Sequence, residues 1–138
     1  MAGNLIDQAL TEYLQGYAGL VAIVGGRVYA LIAPDDPLTP YVVFRRVSTP
    51  REHTQSGAAG MAQPRFQIEC WGETKLVCVQ AIEQVRFALD GFKGQMGVTY
   101  PVTVGDAYCE GDNDDYDHAT RLYGAMVDVR IRHEEAIS

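Results

Sequence analysis

Residues 65–92 read RFQIECWGETKLVCVQAIEQVRFALDGF, and the spacing of the apolar side chains changes partway along this stretch. Over residues 65–71 apolar and polar residues alternate, which predicts a half-buried strand with Phe66 and Ile68 on the same face. Over residues 74–92 the apolar residues recur every three or four positions, which predicts an amphipathic helix. A strand followed directly by a helix is therefore the centre of the predicted fold.

Similar patterns on both sides of this unit supply the other elements. They are a helix at residues 5–14 with a short second turn ending near residue 24, strands at 27–33, 41–48 and 98–104, and a final alternating strand at 122–132. The order is helix-strand-strand-strand-helix-strand-strand. Because the strands follow one another through short links, we predict an α+β fold with a mostly antiparallel sheet and two amphipathic helices packed on one face. Residues 1–138 are expected to form a single domain.

Residues 49–63 have no clear periodicity and contain Pro50, Gly57 and Gly60. They are interpreted as a long loop of small residues or as two ragged strand extensions. Loops of this length are uncommon inside compact domains and are usually functional or mobile.

The acidic residues are concentrated in one segment. The formal charge is −7, from 11 Lys and Arg against 18 Asp and Glu. Six of these acids lie at residues 106–117, and no Lys or Arg occurs at residues 95–120. The acidic balance argues against a general nucleic-acid binder, which normally has a basic excess. Residues 106–117 are predicted to form an acidic turn before the last strand.

Several other classes of protein are disfavoured. No apolar run approaches the roughly 20 residues that a membrane-spanning helix needs, and residues 1–8 do not resemble a signal peptide. The three cysteines are Cys70, Cys78 and Cys109, and none forms a CxxC pair. They are expected to be reduced thiols in a cytosolic environment, two or three of them buried as small hydrophobic residues.

The sequence contains no recognisable catalytic set, and no cofactor is expected. His53, His118 and His133 are far apart, and the common nucleotide-binding, hydrolase and metalloprotease motifs are missing. Asp112 and Asp114 invite a calcium-loop interpretation. However, Asp117 stands where such a loop needs glycine. A solvated acidic turn is the simpler interpretation, and no metal site is predicted.

Trp71 lies on the polar face of its predicted strand and is interpreted either as an anchor for a partner or as a residue packed beneath a loop. The charged residues Arg65, Glu69, Asp128, Arg130 and Arg132 occupy the polar faces of two strands. If these strands are neighbours, we expect cross-strand ion pairs. The alternative is that they face a neighbouring subunit.

Taken in order, five segments resemble the phage tail completion proteins, also called tail terminators. They are GGRVYALIAP (25–34), LTPYVVFRRVS (38–48), PRFQIECWGET (64–74), ALDGFKG (88–94) and DDYDHATRLYGAMVDVRI (114–131). The resemblance covers nearly the whole chain. It implies an α+β virion protein without catalytic residues, which caps the tail tube as a ring, usually a hexamer, and presents a surface for head-tail joining.

The resemblance also implies partners and a location. The partners are copies of the chain itself, the tail tube protein and the head-tail connector protein, while DNA passes through the ring without specific binding. The location is the head-proximal end of the virion tail, after assembly in the host cytoplasm. The candidate partner or lumen residues are Arg51, His53, Trp71, Asp106, Glu110, Asp112, Asp114, Asp115 and Asp117. Residues 49–63 are expected to be mobile in the free subunit and to order against the tube or a neighbour.

The sequence leaves two alternative functions open. One is another ring protein of the head-tail interface, such as a connector or head-closure protein. The other is a small enzyme or ligand-binding domain, which would need a pocket with convergent polar groups.

Overall fold

The computed structural model describes residues 5–48, 51–52 and 59–136. The helices are α1 (Leu5–Gln15), α2 (Ala18–Val24) and α3 (Lys75–Leu89). The strands are β1 (Val28–Ala30), β2 (Tyr41–Ser48), β3 (Arg51–Glu52), β4 (Ala59–Ala62), β5 (Arg65–Gly72), β6 (Gly94–Met96), β7 (Val102–Asp117) and β8 (Leu122–Ala136). The α+β class is confirmed.

The strands form one sheet with the order β1-β2-β5-β8, and β7 pairs with the other edge of β8. β4 also pairs with β8, β3 pairs with β4, and β6 pairs with the start of β7. All of these pairs are antiparallel except β1 with β2. The predicted mostly antiparallel sheet is therefore confirmed. β1 with β2 is the parallel exception, because residues 31–40 return the chain to the level of Val28 before β2 begins. Leu31 also ends β1 earlier than predicted, since its φ of 72° is not a strand conformation.

The helices cover one face of the sheet and build the core with it. Buried residues of all three helices join the inward-facing residues of β2, β5 and β8 in one hydrophobic cluster. Phe44 and Phe66 meet edge to face in this cluster, with ring centroids 5.7 Å apart. α3 begins as the sequence predicts, because the Thr74 hydroxyl oxygen accepts a hydrogen bond from the Val77 N–H at 3.2 Å. No helix among the described residues is long and apolar enough to cross a membrane.

The predicted acidic turn at residues 106–117 is instead part of β7. It pairs with β8 as far as Asp117 opposite Leu122, and the chain reverses only at residues 118–121. Arg121 there has a φ of 60°. Acidic residues have low strand propensity. Main-chain pairing with the long apolar strand β8 overrides that preference.

Residues 49–63 also contain strands. β3 pairs with β4, and β4 continues the sheet along β8 from Ala59 opposite Ala136. At residues 51–52 and 59–62 the chain is strand rather than loop, as the alternative of strand extensions predicted. Residues 49–50 and 53–58, which include His53, lie outside the described residues. The mobility expected for residues 49–63 therefore stays a prediction.

The strand predicted at residues 98–104 begins only at Val102. The residues before it are held by Glu12 of α1. Its carboxylate accepts hydrogen bonds from Val98 N at 3.0 Å, Thr99 N at 3.0 Å and Thr99 Oγ1 at 2.7 Å. These contacts join α1 to the connection between β6 and β7, and Glu12 was not singled out from the sequence because its partners are more than 80 residues away.

We expect Glu12→Gln to lower stability in a pH-dependent way. The Thr99 side chain and then the Val98 N–H hold the pKa of Glu12 below its ordinary value of 4.5. A lowered pKa in the folded state stabilises the protein above the unfolded pKa, and this contribution disappears as the pH falls through the folded pKa. The difference in unfolding free energy between wild type and variant should therefore be constant near neutral pH and shrink below pH 4.5. Urea titrations at several pH values measure it, and a difference that grows on acidification would contradict the prediction.

Candidate functional site: the acidic edge strand and the open sheet face

β7 places the acidic segment at an edge of the sheet. One side of β7 pairs with β8, while β6 covers only its first residues, from Val102 to Val104. By register, Asp112 and Asp114 lie opposite Val127 and Ala125 on the helix-covered side, whereas Asp115 lies opposite Gly124 on the open face. Charges on an edge strand discourage edge-to-edge pairing with other sheets, so this arrangement also has a structural role.

Glu110 joins three strands on the open face. It sits in a bulge of β7 and contacts Arg65 Nε at 3.2 Å and Arg130 Nη2 at 3.1 Å. The two arginines lie directly opposite each other on β5 and β8. Like charges at such positions repel, and the carboxylate between them removes this penalty. β5 and β8 are neighbours, but the ion pairs expected between them are not the ones that form, because the two strands bring Arg65 opposite Arg130 and the carboxylate comes from Glu110 on β7.

The other acids differ in their surroundings. Asp114 forms an exposed ion pair with Lys75 at 3.1 Å, and Asp117 accepts hydrogen bonds from Ala119 N and Thr120 Oγ1 in the reversal after β7. Besides Asp117, three acids of the segment make no ion pair with another described residue, namely Asp106, Asp112 and Asp115. These three therefore retain the charge that a partner or passing phosphates would meet.

Trp71 packs on the open face rather than beneath a loop. Its ring covers Gly124 on β8, where an added Cβ would come within 2.7 Å of the ring. The Trp71 indole N–H donates to Glu69 at 2.9 Å, and Glu69 lies 3.8 Å from Arg45. The absence of a side chain at Gly124 thus gives the indole its position. The role of Trp71 as a partner anchor stays a prediction.

We expect Gly124→Ala to move the Trp71 ring outward. Because the ring is half-buried and can rotate, the loss of stability should stay below the 1–3 kcal/mol or so typical of rigid overpacked cores. Trp71 is the only tryptophan of the chain, so its fluorescence reports the change directly. The emission maximum should shift to longer wavelength. Gly111→Ala is the control, since an added Cβ there meets nothing within 4 Å, and equal spectra for both variants would contradict the prediction.

The thiols are buried as expected. Cys70 and Cys78 are fully buried, Cys109 is half-buried, and all three are free. A hydrogen bond to Cys78, together with burial, raises the pKa of Cys70 far above that of an ordinary thiol. Burial is also the main cause that raises the pKa of Cys109 to about 11. Such thiols stay protonated and are poor nucleophiles near neutral pH.

An open groove of about 330 Å³ lies between α1, Ala30 and Tyr100. Its charged groups are already engaged, because Asp7 pairs with Arg46 at 2.9 Å and Glu12 binds Thr99. Within residues 5–48, 51–52 and 59–136, no three metal-ligating side chains cluster.

Of the other sequence-predicted site residues, Arg51 lies in β3 and His53 lies outside the described residues. The structure brings Glu110 together with Arg65 and Arg130 and separates the remaining acids along both faces of β7.

Comparison with known proteins identifies the family. The family model described as tail completion protein gp17 matches residues 8–134. The chain belongs to this family. It is therefore a structural protein of the phage tail, located in the virion.

A solved structure shares the fold. It is a chain of the structure described as "Virion of native gene transfer agent (GTA) particle", with a TM-score of 0.71 and 19% sequence identity over 94% of each chain. No curated protein matches the chain significantly.

Proposed function

We propose that the chain is the subunit of a homo-hexameric ring that caps the tail tube at its head-proximal end. The ring ends tube polymerisation, offers the surface for head-tail joining and carries out no catalysis. The family match over residues 8–134 carries this proposal. The shared fold with a chain of a gene transfer agent virion supports it, because it spans 94% of both chains.

Two unlike edges of the subunit fit a ring. The edge formed by β1 is short, whereas the opposite edge, formed by β7, is long and acidic. A closed ring needs two different surfaces that meet head to tail, while a two-fold dimer uses one surface twice. A subunit with dissimilar edges therefore favours the ring.

Deletion of the gene tests the function. We expect tails of irregular length that do not join to heads, and expression of the wild-type chain from a plasmid should restore both. Electron microscopy measures tail length and the fraction of joined particles. Tails of normal length and normal joining in the deletion strain would overturn the proposal.

Mass measurement in solution tests the partners. The mass of the chain alone shows whether the free protein is monomeric or already a ring. Addition of tail tube protein should give a complex whose mass corresponds to a ring bound to tube subunits. A chain that stays monomeric with tube protein at high concentration would contradict the proposed assembly.

We further propose that Asp106, Asp112 and Asp115 on β7 line or approach the lumen of the ring. Negative side chains repel phosphates, so DNA would pass without specific binding. A structure of the assembled ring with these residues entirely on the outer rim would overturn this.

A competing role for β7 is docking onto a basic patch of the connector or tube protein. Trp71 on the open face would then serve as an anchor of the same contact. Complementary charge speeds encounter, and salt screens it. If this role holds, the association rate with the connector falls steeply with salt and falls further in Asp112→Asn and Asp115→Asn variants. A salt-independent rate favours the lumen instead.

A further inference from the structure

α3 exposes large apolar side chains on the face that points away from the core. Leu76, Val79 and Phe87 are 66%, 37% and 63% exposed, although the helix buries its other face fully. Leu76 and Phe87 are 11 positions apart, which is close to three turns, so they lie on one stripe with Val79 beside it. We call these three residues the α3 stripe. The usual amphipathic pattern places polar residues on such a face.

A second apolar group projects from the loop between β1 and β2. Leu31, Ile32 and Leu38 are 73%, 79% and 73% exposed. We call residues 31–38 the apolar loop. Exposed apolar side chains grouped in this way commonly mark interaction sites.

The apolar loop is tied to the body at both ends. Leu31 N donates to Phe44 O at 2.6 Å, and Ile32 N donates to Ala30 O at 2.8 Å. Just beyond its other end, Thr39 Oγ1 donates to Glu73 at 3.1 Å. These contacts hold both ends of the apolar loop against the body of the subunit, while its large apolar side chains stay exposed. The backbone of Leu31, with a φ of 72°, is a conformation that bulky residues seldom adopt.

The charged residues next to the two apolar groups have opposite signs. Asp35 and Asp36 lie inside the apolar loop, both exposed. Lys75 and Arg86 directly precede Leu76 and Phe87 on α3, with side chains 63% and 37% exposed. α3 contains only one acid, Glu83, and so has a net positive charge in a chain of net charge −7. Within the subunit Lys75 pairs with Asp114 at 3.1 Å and Arg86 pairs with Glu83 at 2.6 Å. Both ion pairs are exposed, and such pairs are weak and can exchange partners.

We propose that the apolar loop of one subunit docks on the α3 stripe of the next subunit, with Asp35 and Asp36 facing Lys75 and Arg86. This contact rests on the proposed ring, and it names the surfaces that close it. Two complementary but different patches on one chain make a head-to-tail contact, which generates rings. Apolar burial supplies the affinity, and the charges fix the orientation.

Cross-linking between subunits tests the contact. Ile32→Cys and Phe87→Cys are made separately in a Cys109→Ser background, where the remaining thiols, Cys70 and Cys78, are fully buried. A short bis-maleimide reagent is added to each variant and to their equal mixture, both in solution and on assembled tails. We expect cross-linked dimers only in the mixture, and a ladder up to the size of the ring from the doubly substituted chain.

Three outcomes would overturn the contact. Dimers from Ile32→Cys or from Phe87→Cys alone would indicate a two-fold contact. Cross-links from residue 32 to the tube or connector protein would identify a different occupant. If a preparation has the mass of a ring but gives no cross-link, the proposed contact is wrong while the proposed ring still holds.

Charge reversal gives an independent measurement. The double variant Asp35→Lys, Asp36→Lys should raise the dissociation constant of the oligomer by about tenfold or more. Adding Lys75→Glu and Arg86→Glu should restore it to within about threefold of wild type. Lys93→Glu, outside both patches, is the control. Equal weakening of association by the control, or failure of the second pair of substitutions to restore association, would overturn the proposed contact. Normal tails in the deletion strain would overturn only the proposed function of the ring.

Discussion

Phe66→Ala is expected to lower the free energy of unfolding by about 3–5 kcal/mol, the range found for phenylalanine truncation in cores. Phe66 has no exposed surface and meets Phe44 edge to face. It lies on β5, which pairs with β2 on one side and with β8 on the other. A cavity there lies between strands that cannot move independently, so the site collapses poorly. Urea denaturation followed by circular dichroism measures the loss.

Phe87→Ala is the matched control for this result. The residue type is the same, but Phe87 is 63% exposed on α3, so the change in stability should stay within about 0.5 kcal/mol. The same variant should weaken association between subunits if the proposed contact is correct. Equal destabilisation by the two alanine variants would contradict the assignment of Phe66 to the core.

Glu110→Ala should cost about 1–3 kcal/mol, the scale of hydrogen bonds to charged groups. The variant leaves Arg65 and Arg130 facing each other across β5 and β8 without the carboxylate between them. The side chains of Glu110 and Arg130 are only 28% and 21% exposed, so solvent screens the repulsion incompletely. The loss should shrink at high salt, because added ions screen the two arginines.

The comparison with Asp115→Ala isolates this effect. Asp115 belongs to the same strand, is exposed and makes no ion pair with another described residue, so its removal should change stability by less than about 0.5 kcal/mol. In a double-mutant cycle, Arg130→Ala should recover part of the loss caused by Glu110→Ala. Additive losses in that cycle would show that Glu110 and Arg130 do not act together.

The spacing of apolar residues was sufficient to predict the central strands and the long helix of the fold. The alternation in residues 65–71 and 122–132 and the helical spacing in residues 74–92 correctly gave β5, β8 and α3, although α3 ends earlier, at Leu89, and β8 continues to Ala136. Phe66 and Ile68 lie in the core as predicted. These patterns are informative because each element buries one face against the same core, and burial selects the residue type at every second, third or fourth position.

The candidate site was less accessible to sequence reasoning. The concentration of acids at residues 106–117 was visible, but their placement on an edge strand was not, because it depends on pairing with β8. Glu110 differs from its neighbours only through the bulge that brings it to Arg65 and Arg130. Likewise, Glu12 gained its role from Thr99, which is distant in sequence.

The sequence by itself thus determined the α+β class, the buried faces of the central strand and helix, and the resemblance to tail completion proteins. Only the tertiary structure decided the parallel pairing of β1 with β2, the strand character of residues 106–117, the ion pairs of Glu110 and the exposure of the α3 stripe and the apolar loop. The physical reason is the range of the interactions. Periodicity records which face of an element is buried, whereas strand partners, cross-strand charges and unpaired apolar surfaces depend on residues brought together from distant parts of the chain.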